Sequence, residues 1–443
     1  MTVLNIPFNS GTEPALDGSV SYAKLLNLVV TPDSTVSEAP FFTCIEKLHN
    51  PQGIYRTVGT DTTLIVADGF LYTVNQTHDL LRVGPIAVQT GRIAFAENLK
   101  NEVLLCTGKT AYVYNTDSNS LTDLHLVSGF DMERPISCTM INSYFIVADG
   151  NSNCWQISAP NDGLHWTPLD EALLTTVSTK ILSVQSISNN LFLIGNNAIE
   201  RWVPQETALD FPFSRDNNYR FAWGAFNTEA IAGYQDQLVF LSNQREVMVL
   251  TTEGVKKLST PGIDRRLSNL SASEKPVSVL FKHQGQLFYS LATSDETWLF
   301  SFASQRWSNS TDTLLQWDGQ RGFLLEDGFY SASTAIQARH RQLQTGWLTL
   351  PARLPYKPVV HRVSLTIIFG VCEKPVEKEP LYLSVARNHA DFGNRIPLRL
   401  PQRYSNSHTV HWPCHVVARE LMLRLDYFGS SQITLTDCSV DIN

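Results

Sequence analysis

The chain has 443 residues, of which 43% are hydrophobic and 17% charged, and its formal net charge is −8. This content is enough for a large core, so wholesale disorder is excluded, and the length suits two or three domains, or one large all-β domain with a smaller one. The acidic balance and the lack of any Lys/Arg run argue against tight sequence-specific DNA binding.

Seven cysteines are scattered along the chain without a close pair. This distribution favours free, mostly buried thiols in a protein that folds in a reducing cytosol. The first residues, MTVLNIPFN, have neither a basic region nor a long apolar stretch, so we expect no signal peptide. No run of about 18 apolar residues occurs, so we expect no membrane span.

The first 50 residues show no clear repeat, and we expect them to form a docking segment or to donate a strand that closes a ring. Residues 51–350 then repeat a pattern of an apolar strand, a tight turn and a second strand. The first strands lie at 64–69 (LIVADG), 103–108 (VLLCTG), 144–150 (YFIVADG), 191–196 (LFLIGN), 238–243 (LVFLSN) and 287–291 (LFYSL), with a shorter echo at 322–330.

The first strands recur at intervals of roughly 39 to 49 residues, which is the size of a four-stranded propeller blade. A series of β-sandwiches would also give short strands and many turns, but not a sustained period of this size. The sequence therefore predicts an all-β propeller over residues 51–350, with six or seven blades and six favoured.

Helices are predicted to be few and short, with residues 170–179 as the best candidate, and residues 334–344 are interpreted as a strand or linker leading out of the last blade. A cluster of prolines at 351, 355 and 358 predicts a domain boundary. Beyond it, residues 361–369, 381–385, 421–425 and 433–438 alternate between apolar and polar side chains. This pattern predicts a small antiparallel β-sandwich over residues 355–443.

Residues 158–166 (SAPNDGLHW) are similar to the Asp-box turn of sialidase-type propellers, with Ala159, Asn161 and His165 replacing the preferred Ser, Asp and Thr. An Asp box is structural even in enzymes, so we interpret the segment as a hairpin turn. In this interpretation Gly163 gives the backbone freedom to turn and Trp166 packs the blade.

Sialidase chemistry needs clustered arginines for a carboxylate, together with a tyrosine nucleophile and carboxylate partners. Neighbours on a strand point to opposite faces, so Glu200 and Arg201 are not a ready-made pair. No spacing marks three of the candidate arginines as convergent. These candidates are Arg56, Arg92, Arg134, Arg201, Arg215 and Arg245.

Two further groups have site-like composition. His408, His411, Cys414 and His415 have zinc-like spacing, but the segment alternates like a strand and has only one cysteine, so an edge strand is favoured. The basic stretch at 338–342 (ARHRQ) around His340 is interpreted as a solvated linker, with DNA or partner contact as the alternative. We expect no catalytic residue, no cofactor and no metal ligand.

Three phrases in a fixed order carry a family resemblance. They are residues 158–170 (SAPNDGLHWTPLD), residues 191–202 (LFLIGNNAIERW) and residues 258–264 (LSTPGID), with residues 211–215 (FPFSR) and 223–225 (WGA) between the second and the third. Together they resemble the tail hub, or packaged-DNA stabilisation, proteins of short-tailed bacteriophages. The matching positions are Asp162, Gly163, Trp166, Gly195, Glu200, Trp202, Pro212, Arg215, Gly224, Ser259, Thr260 and Asp264.

The resemblance implies a structural virion protein without chemistry, assembled in the host cytoplasm. It implies a subunit of a hexameric hub or nozzle below the portal and head-to-tail adaptor, which retains packaged DNA, mounts tail fibre, spike or needle proteins and forms part of the ejection channel. The residues of the three phrases are expected to form turns and blade strands. In this interpretation Gly195 gives the backbone freedom to turn and Trp202 packs the blade. A propeller glycosidase or carbohydrate-binding protein and a peptide-binding cellular scaffold remain the alternatives.

Overall fold

The structure is a computed structural model that describes residues 2–16, 23–75, 78–89, 91–175, 179–205, 211–333, 338–351, 357–369, 381–398 and 407–443. Regular structure in these ranges is strand, except for one α-helix, α1 (Pro261–Leu267), and one 3-10 helix (Leu124–Leu126). Neither helix of the described ranges is long and apolar enough to cross a membrane.

The N-terminal segment contributes five strands, which join three different sheets. They are β1 (Thr2–Asn5), β2 (Lys24–Leu26), β3 (Leu28–Val30), β4 (Val36–Glu38) and β5 (Phe42–Lys47).

Seven four-stranded units follow in a ring, and we number them blades 1 to 7 in chain order. Blade 1 is β6 (Pro51–Arg56), β7 (Thr63–Ala67), β8 (Phe70–Val74) and β9 (Leu80–Pro85); blade 2 is β10 (Ala94–Glu97), β11 (Glu102–Cys106), β12 (Ala111–Asn115) and β13 (Ser120–Asp123). Blade 3 is β14 (Pro135–Ile141), β15 (Tyr144–Asp149), β16 (Cys154–Ala159) and β17 (Asp162–Leu173); blade 4 is β18 (Ile181–Ile187), β19 (Asn190–Gly195), β20 (Ile199–Pro204) and β21 (Phe213–Phe221).

Blade 5 is β22 (Ile231–Tyr234), β23 (Gln237–Leu241), β24 (Val247–Thr251) and β25 (Gly254–Lys257); blade 6 is β26 (Val277–His283), β27 (Gln286–Ala292), β28 (Thr297–Ser301) and β29 (Arg306–Ser310). Blade 7 is β30 (Leu314–Trp317), β31 (Gly322–Leu325), β32 (Gly328–Ala332) and the N-terminal strand β5, which pairs with β32. The first strand of each blade lies innermost, and the ring closes between β30 and β6.

The repeat visible in the sequence is the middle hairpin of each blade, because the second strand is covered by neighbouring blades on both faces. In blade 1, Leu64, Ile65 and Val66 of β7 are fully buried. One buried apolar cluster lies in each of the seven blade interfaces, and an eighth fills the C-terminal sheets. The prediction of an all-β propeller followed by a sandwich is confirmed, and the blade number is seven, not the favoured six.

The C-terminal strands form two sheets around one core, together with strands from the N-terminal segment. One sheet has the order β3, β4, β40, β35 and β38, with β1 also on β40; the other runs from β2 through β33, β39 and β36 to β37, with β34 on β39. These strands are β33 (Arg341–Gln344), β34 (Leu348–Thr349), β35 (Val359–Phe369), β36 (Leu381–Arg387), β37 (Ile396–Leu398), β38 (Ser407–Val417), β39 (Glu420–Tyr427) and β40 (Ile433–Ile442).

The predicted helix at residues 170–179 is wrong over its first residues, which belong to β17. Cross-strand pairing of Glu171 with Gln156 and of Leu173 with Cys154 places this segment at the edge of blade 3, and tertiary pairing overrides a weak helical preference. Residues 176–178 lie outside the described ranges. Within the predicted strand or linker at 334–344, residues 341–344 form β33, and residues 334–337 lie outside those ranges.

The basic stretch around His340 is paired and largely covered, with Arg341 fully buried, so the interpretation as a solvated linker is wrong. Arg341 donates to Glu38 at 2.8 Å, and Arg339 lies 3.9 Å from the same carboxylate. His340 contacts the fully buried Asp426 at 2.8 Å. These contacts join the N-terminal segment, the end of the propeller and the C-terminal sheets.

Candidate functional site

The hairpin between β16 and β17 is locked by its own side chains. The carboxylate of Asp162 accepts from the backbone N–H of Leu164 at 3.0 Å, and the indole of Trp166 donates to the carbonyl of Gly163 at 2.8 Å. The N–H of Gly163 in turn donates to Glu102 of blade 2 at 2.9 Å. This signature segment is therefore a structural contact between blades 2 and 3.

The signature glycines provide close packing, which corrects the expectation of backbone freedom. In the hairpin the positive φ belongs to Asn161, at 49°, while Gly163 and Gly195 are not among the residues with positive φ. A Cβ on Gly224 would lie 1.9 Å from the carbonyl oxygen of Gly195, which accepts a hydrogen bond from Ala225. Blades 4 and 5 approach each other here too closely for any side chain.

We expect Gly224→Ala to lower the free energy of unfolding by about 1–3 kcal/mol, because the new methyl group must displace backbone. Urea unfolding followed by tryptophan fluorescence measures the change. Gly346→Ala is the matched control, since a Cβ there meets nothing within 4 Å and φ is not positive, and it should stay within about 0.5 kcal/mol of the parent. Equal stability of both variants would contradict the packing role.

Glu200 is fully buried and holds the signature residues of blade 4 together. Its carboxylate accepts from the indole of Trp202 at 3.1 Å and from the N–H of Thr175 at 3.0 Å, and it lies 3.8 Å from Arg215. Arg201 points the other way and pairs with Asp216, as alternation along the strand predicts. Pro212 accepts at its carbonyl from Gln205. A buried carboxylate with these partners is a packing element.

The third phrase begins a helix, which corrects the expectation of turns and strands alone. Thr260 caps α1 by accepting from the N–H of Ile263, and Pro261 occupies the first turn, where a missing N–H costs nothing. The hydroxyl of Ser259 donates to Asp264, and Asp264 also pairs with Lys257. Serine, threonine and proline in this order are a capping signal that the sequence already carried.

Two of the six candidate arginines, Arg92 and Arg134, come together, at the end of the propeller axis where the innermost strands begin. They line a cavity of ≈ 200 Å³ with Glu229 and Lys275, and a second cavity of ≈ 290 Å³ shares Arg92, Glu229 and Lys275. We call this region the axial mouth. Sequence spacing missed it because its residues come from loops of different blades.

Arg92 crosses the axis from blade 2 to blades 5 and 6. Its guanidinium donates to the carbonyl of Ile231 at 2.6 Å and to that of Ser278 at 2.8 Å. Burial lowers the pKa of Arg92, and the nearby Glu229 opposes this shift. Two of the five N–H donors of Arg92 are therefore used in holding the blades.

Side chains also cross between blades at the opposite end of the innermost strands. The rings of Trp317 in blade 7 and Tyr234 in blade 5 lie 5.1 Å apart, and the ammonium of Lys282 in blade 6 lies 5.1 Å from the centre of the Tyr234 ring. Between the two ends, the side chain of Gln316 in blade 7 accepts from the N–H of Ile54 in blade 1 and donates to the carbonyl of Ile93 beside blade 2. Side chains of the described residues therefore cross between non-adjacent blades at both ends of the innermost strands.

A larger cavity of ≈ 660 Å³ lies between blades 7 and 1. Arg56 and Asp61 form an ion pair at 2.7 Å on its wall. Burial raises the pKa of Asp318, and hydrogen bonds from the backbone act to lower it.

The remaining candidate arginine, Arg245, stacks over the ring of Phe226 with its guanidinium 4.5 Å from the ring centre. The arginines therefore serve separate local contacts, apart from the two at the axial mouth.

All four residues of the zinc-like segment lie on β38. His411 contacts the hydroxyl of Ser364 at 2.9 Å, Cys414 contacts the carbonyl of Val360, and the ring of His415 meets that of His361 edge-on. Among the described residues no group of three His, Cys, Asp or Glu side chains is placed to hold a metal ion. Strand alternation separates these side chains.

Comparison with known proteins decides the family. Residues 4–348 match a family model described as "Phage_stabilise: Bacteriophage P22 Gp10, beta-propeller". The chain belongs to this family. The sequence-based assignment is confirmed, and the chain is a bacteriophage packaged-DNA stabilisation β-propeller protein, which implies a structural, virion-associated role.

Several solved propeller structures also match at low identity. They include virginiamycin B lyase from Staphylococcus aureus, with 13% identity over 66% of this chain and 99% of that chain and a TM-score of 0.45. BamB from Moraxella catarrhalis matches with 10% identity over 75% of this chain and 95% of that chain and a TM-score of 0.42. A search of the curated proteins found no match.

Proposed function

We propose that this protein is a tail hub, or nozzle, subunit that forms a ring, of six copies, below the portal and head-to-tail adaptor. In this role it retains packaged DNA, mounts tail fibre, spike or needle proteins and forms part of the ejection channel. Family membership supports the structural role, and the distribution of exposed apolar side chains carries the proposal of large protein contacts.

Among the residues that the structure describes, exposed large apolar side chains lie in or beside blades 1 to 3 and in the terminal segments. Seven lie in or beside blades 1 to 3, namely Val58, Leu81, Leu99, Leu126, Leu164, Leu169 and Leu173. Four lie in the N-terminal segment and C-terminal sheets, namely Val3, Leu16, Ile368 and Val417. The described residues of blades 4 to 7, at 179–205 and 211–333, expose none. We name the first group the blade 1–3 surface.

Leu169 is the most prominent member of this surface. In the pairing of β16 with β17, Ser158 faces Trp166 and Gln156 faces Glu171, so residues 167–170 bulge opposite a single residue. The bulge leaves Leu169 88% exposed. It consists of the Thr-Pro-Leu-Asp continuation of the signature hairpin, and we infer that Leu169 is one of the contacts of the blade 1–3 surface with another protein.

These contacts between non-adjacent blades support a DNA path outside the individual propeller. Because Arg92 and the Trp317–Tyr234 contact cross between distant blades, passing DNA would run through the lumen that a ring of subunits encloses. Cyclic symmetry provides such a lumen, and a net charge of −8 would weaken the hold of its wall on phosphates.

A glycan-processing propeller is less well supported. A carboxylate-binding arginine presents the paired N–H groups of its fork to the ligand, and Arg92 directs one N–H from each terminal nitrogen to backbone carbonyls. If the purified protein hydrolysed a sialoside and phage particles did not contain this protein, the glycan-processing alternative would be favoured over the hub.

We expect Leu169→Asp to weaken the contact that its bulge makes by about 30-fold, because a buried apolar anchor contributes about 2 kcal/mol or more to an interface. Particles assembled with this variant should lose packaged DNA and infectivity, measured by DNA content per particle and plaque count. Electron microscopy of the same particles shows whether the ring is present.

Ala303→Asp is the matched control, because it places the same charge on an exposed turn of blade 6 outside the blade 1–3 surface. It should leave DNA retention and infectivity unchanged. Normal particles with Leu169→Asp, or equal damage by both variants, would count against the docking role of this surface.

A further inference from the structure

The axial mouth has the features of a binding site that the family assignment does not explain. Its two adjoining cavities, of ≈ 200 Å³ and ≈ 290 Å³, share Gly91, Arg92, Glu229 and Lys275. Apolar atoms of Val277 and Leu315 line the second cavity, so the mouth combines charged and apolar walls. Pockets of this mixed kind are typical ligand sites.

The charge at the mouth is opposite to that of the chain. Three basic side chains and one acidic side chain line the cavities, in a protein with a net charge of −8. Arg134 donates to the side-chain oxygen of Gln89 at 3.0 Å, and neither it nor Lys275 pairs with a carboxylate in the part of the chain that the structure describes. Two cations are therefore available to an anionic ligand.

Two polar groups at the mouth lack hydrogen-bond partners. Gln52 is only 7% exposed and donates from Nε2 to the carbonyl of Gln89 at 2.9 Å, which fixes its amide and leaves Oε1 without a partner. Asn227 accepts at Oδ1 from the N–H of Ala230 at 2.7 Å, which fixes its amide, and its Nδ2 donor has no acceptor. Buried polar atoms are almost always satisfied, and both residues line the cavities, so a ligand that shifts these side chains slightly can supply the missing donor and acceptor.

We propose that the axial mouth binds a carboxylate-bearing peptide segment of a protein partner. The carboxylate pairs with Arg134 and Lys275, while a backbone N–H donates to Gln52 and a backbone carbonyl accepts from Asn227. A peptide carries an anion, a donor and an acceptor within a few ångströms, and its side chains also fit the apolar wall.

DNA phosphate fits these features less well. Proteins that bind the DNA backbone spread lysines and arginines along a stripe, whereas here two free cations lie in one recess beside Glu229. An unpartnered amide oxygen such as Oε1 of Gln52 also needs a donor, which an ionised phosphate diester lacks.

The test is a ligand-observed NMR titration of the full chain with the capped peptide acetyl-Ala-Asp-Ala-Ala-amide. The same peptide with Asn in place of Asp should bind about tenfold more weakly, because a charge-assisted hydrogen bond is lost. Arg134→Gln and Lys275→Gln should each weaken the Asp peptide by about tenfold for the same reason. Lys256→Gln, an exposed change on β25 of blade 5, is the matched control and should leave binding unchanged.

Glu229→Gln gives an effect of opposite sign. Removing the like charge beside the bound carboxylate should tighten binding by about threefold, which damage to the fold would not produce. The proposal is overturned if the Asp peptide does not bind, or if it binds equally well to the Arg134→Gln and Lys275→Gln proteins. Binding of inorganic phosphate or a 12-base-pair duplex in preference to the peptide, with the same dependence on Arg134 and Lys275, overturns it in favour of a phosphate site.

Discussion

Glu38→Ala is expected to lower the free energy of unfolding by about 3–5 kcal/mol, because it leaves buried cations without their carboxylate. Arg341 is 2% exposed and donates to Glu38 at 2.8 Å, and Arg339 lies 3.9 Å from it. Burial raises the pKa of Glu38, while the two guanidinium groups act to lower it. Burying the Glu38–Arg341 ion pair therefore costs desolvation free energy, and removing one partner costs more because the other charge stays buried.

Urea unfolding of the single variants and of Glu38→Ala/Arg341→Ala measures this coupling. The double variant should cost less than the sum of the two singles, because each single change already removes the shared contact. Asp327→Ala is the control, since its ion pair with Lys47 is more than half exposed and should contribute at most about 1 kcal/mol. If Glu38→Ala and Asp327→Ala cost the same, the N-terminal and C-terminal regions are not joined through this carboxylate.

Phe42→Ala is expected to cost about 3–5 kcal/mol, because it removes a buried aromatic ring from the strand that closes the propeller. Phe42 lies on β5, is 8% exposed, and packs against Phe323 at 4.5 Å and Phe281 at 6.1 Å between ring centres. Loss of these contacts should loosen the outer strand of blade 7 before the rest of the ring.

Limited trypsin digestion distinguishes local opening from general weakening, because Lys47 ends β5 and becomes cleavable when this strand leaves β32. We expect faster cleavage at Lys47 in Phe42→Ala. Val58→Ala, at a residue that is 87% exposed, should change neither the cleavage rate nor the unfolding midpoint. An unchanged rate at Lys47 in Phe42→Ala would show that β5 does not depend on its aromatic contact.

The propeller could be predicted because each blade repeats one local pattern. The second strands, such as β11, are covered by neighbouring blades on both faces and so carry an unbroken apolar run, here residues 103–106. Outer strands carry no such signal, and the edge strand β17 was therefore mistaken in part for a helix. The seventh blade is only an echo in the sequence because β5, its fourth strand, comes from the N-terminal segment.

The functional positions were harder to predict than the fold. Ser259, Thr260 and Asp264 carry a local capping signal, which sequence alone contains. The axial mouth has no such signal, since Gln52 lies on β6 of blade 1 while Arg134 and Lys275 lie in the loops before blades 3 and 6, and they line the mouth only when the ring closes. The partners of the basic stretch, Glu38 and Asp426, likewise lie about 300 and 90 residues away along the chain.

By itself the sequence determined the β-propeller, the C-terminal strands and the family, because these depend on local alternation, turn residues and the order of short phrases. Only the tertiary structure decided the number of blades, the strand that completes the last blade and the contacts that Arg92 makes with blades 5 and 6. These features depend on contacts between residues far apart in the chain, and hydrophobic periodicity reports which face of a strand is buried without reporting what buries it.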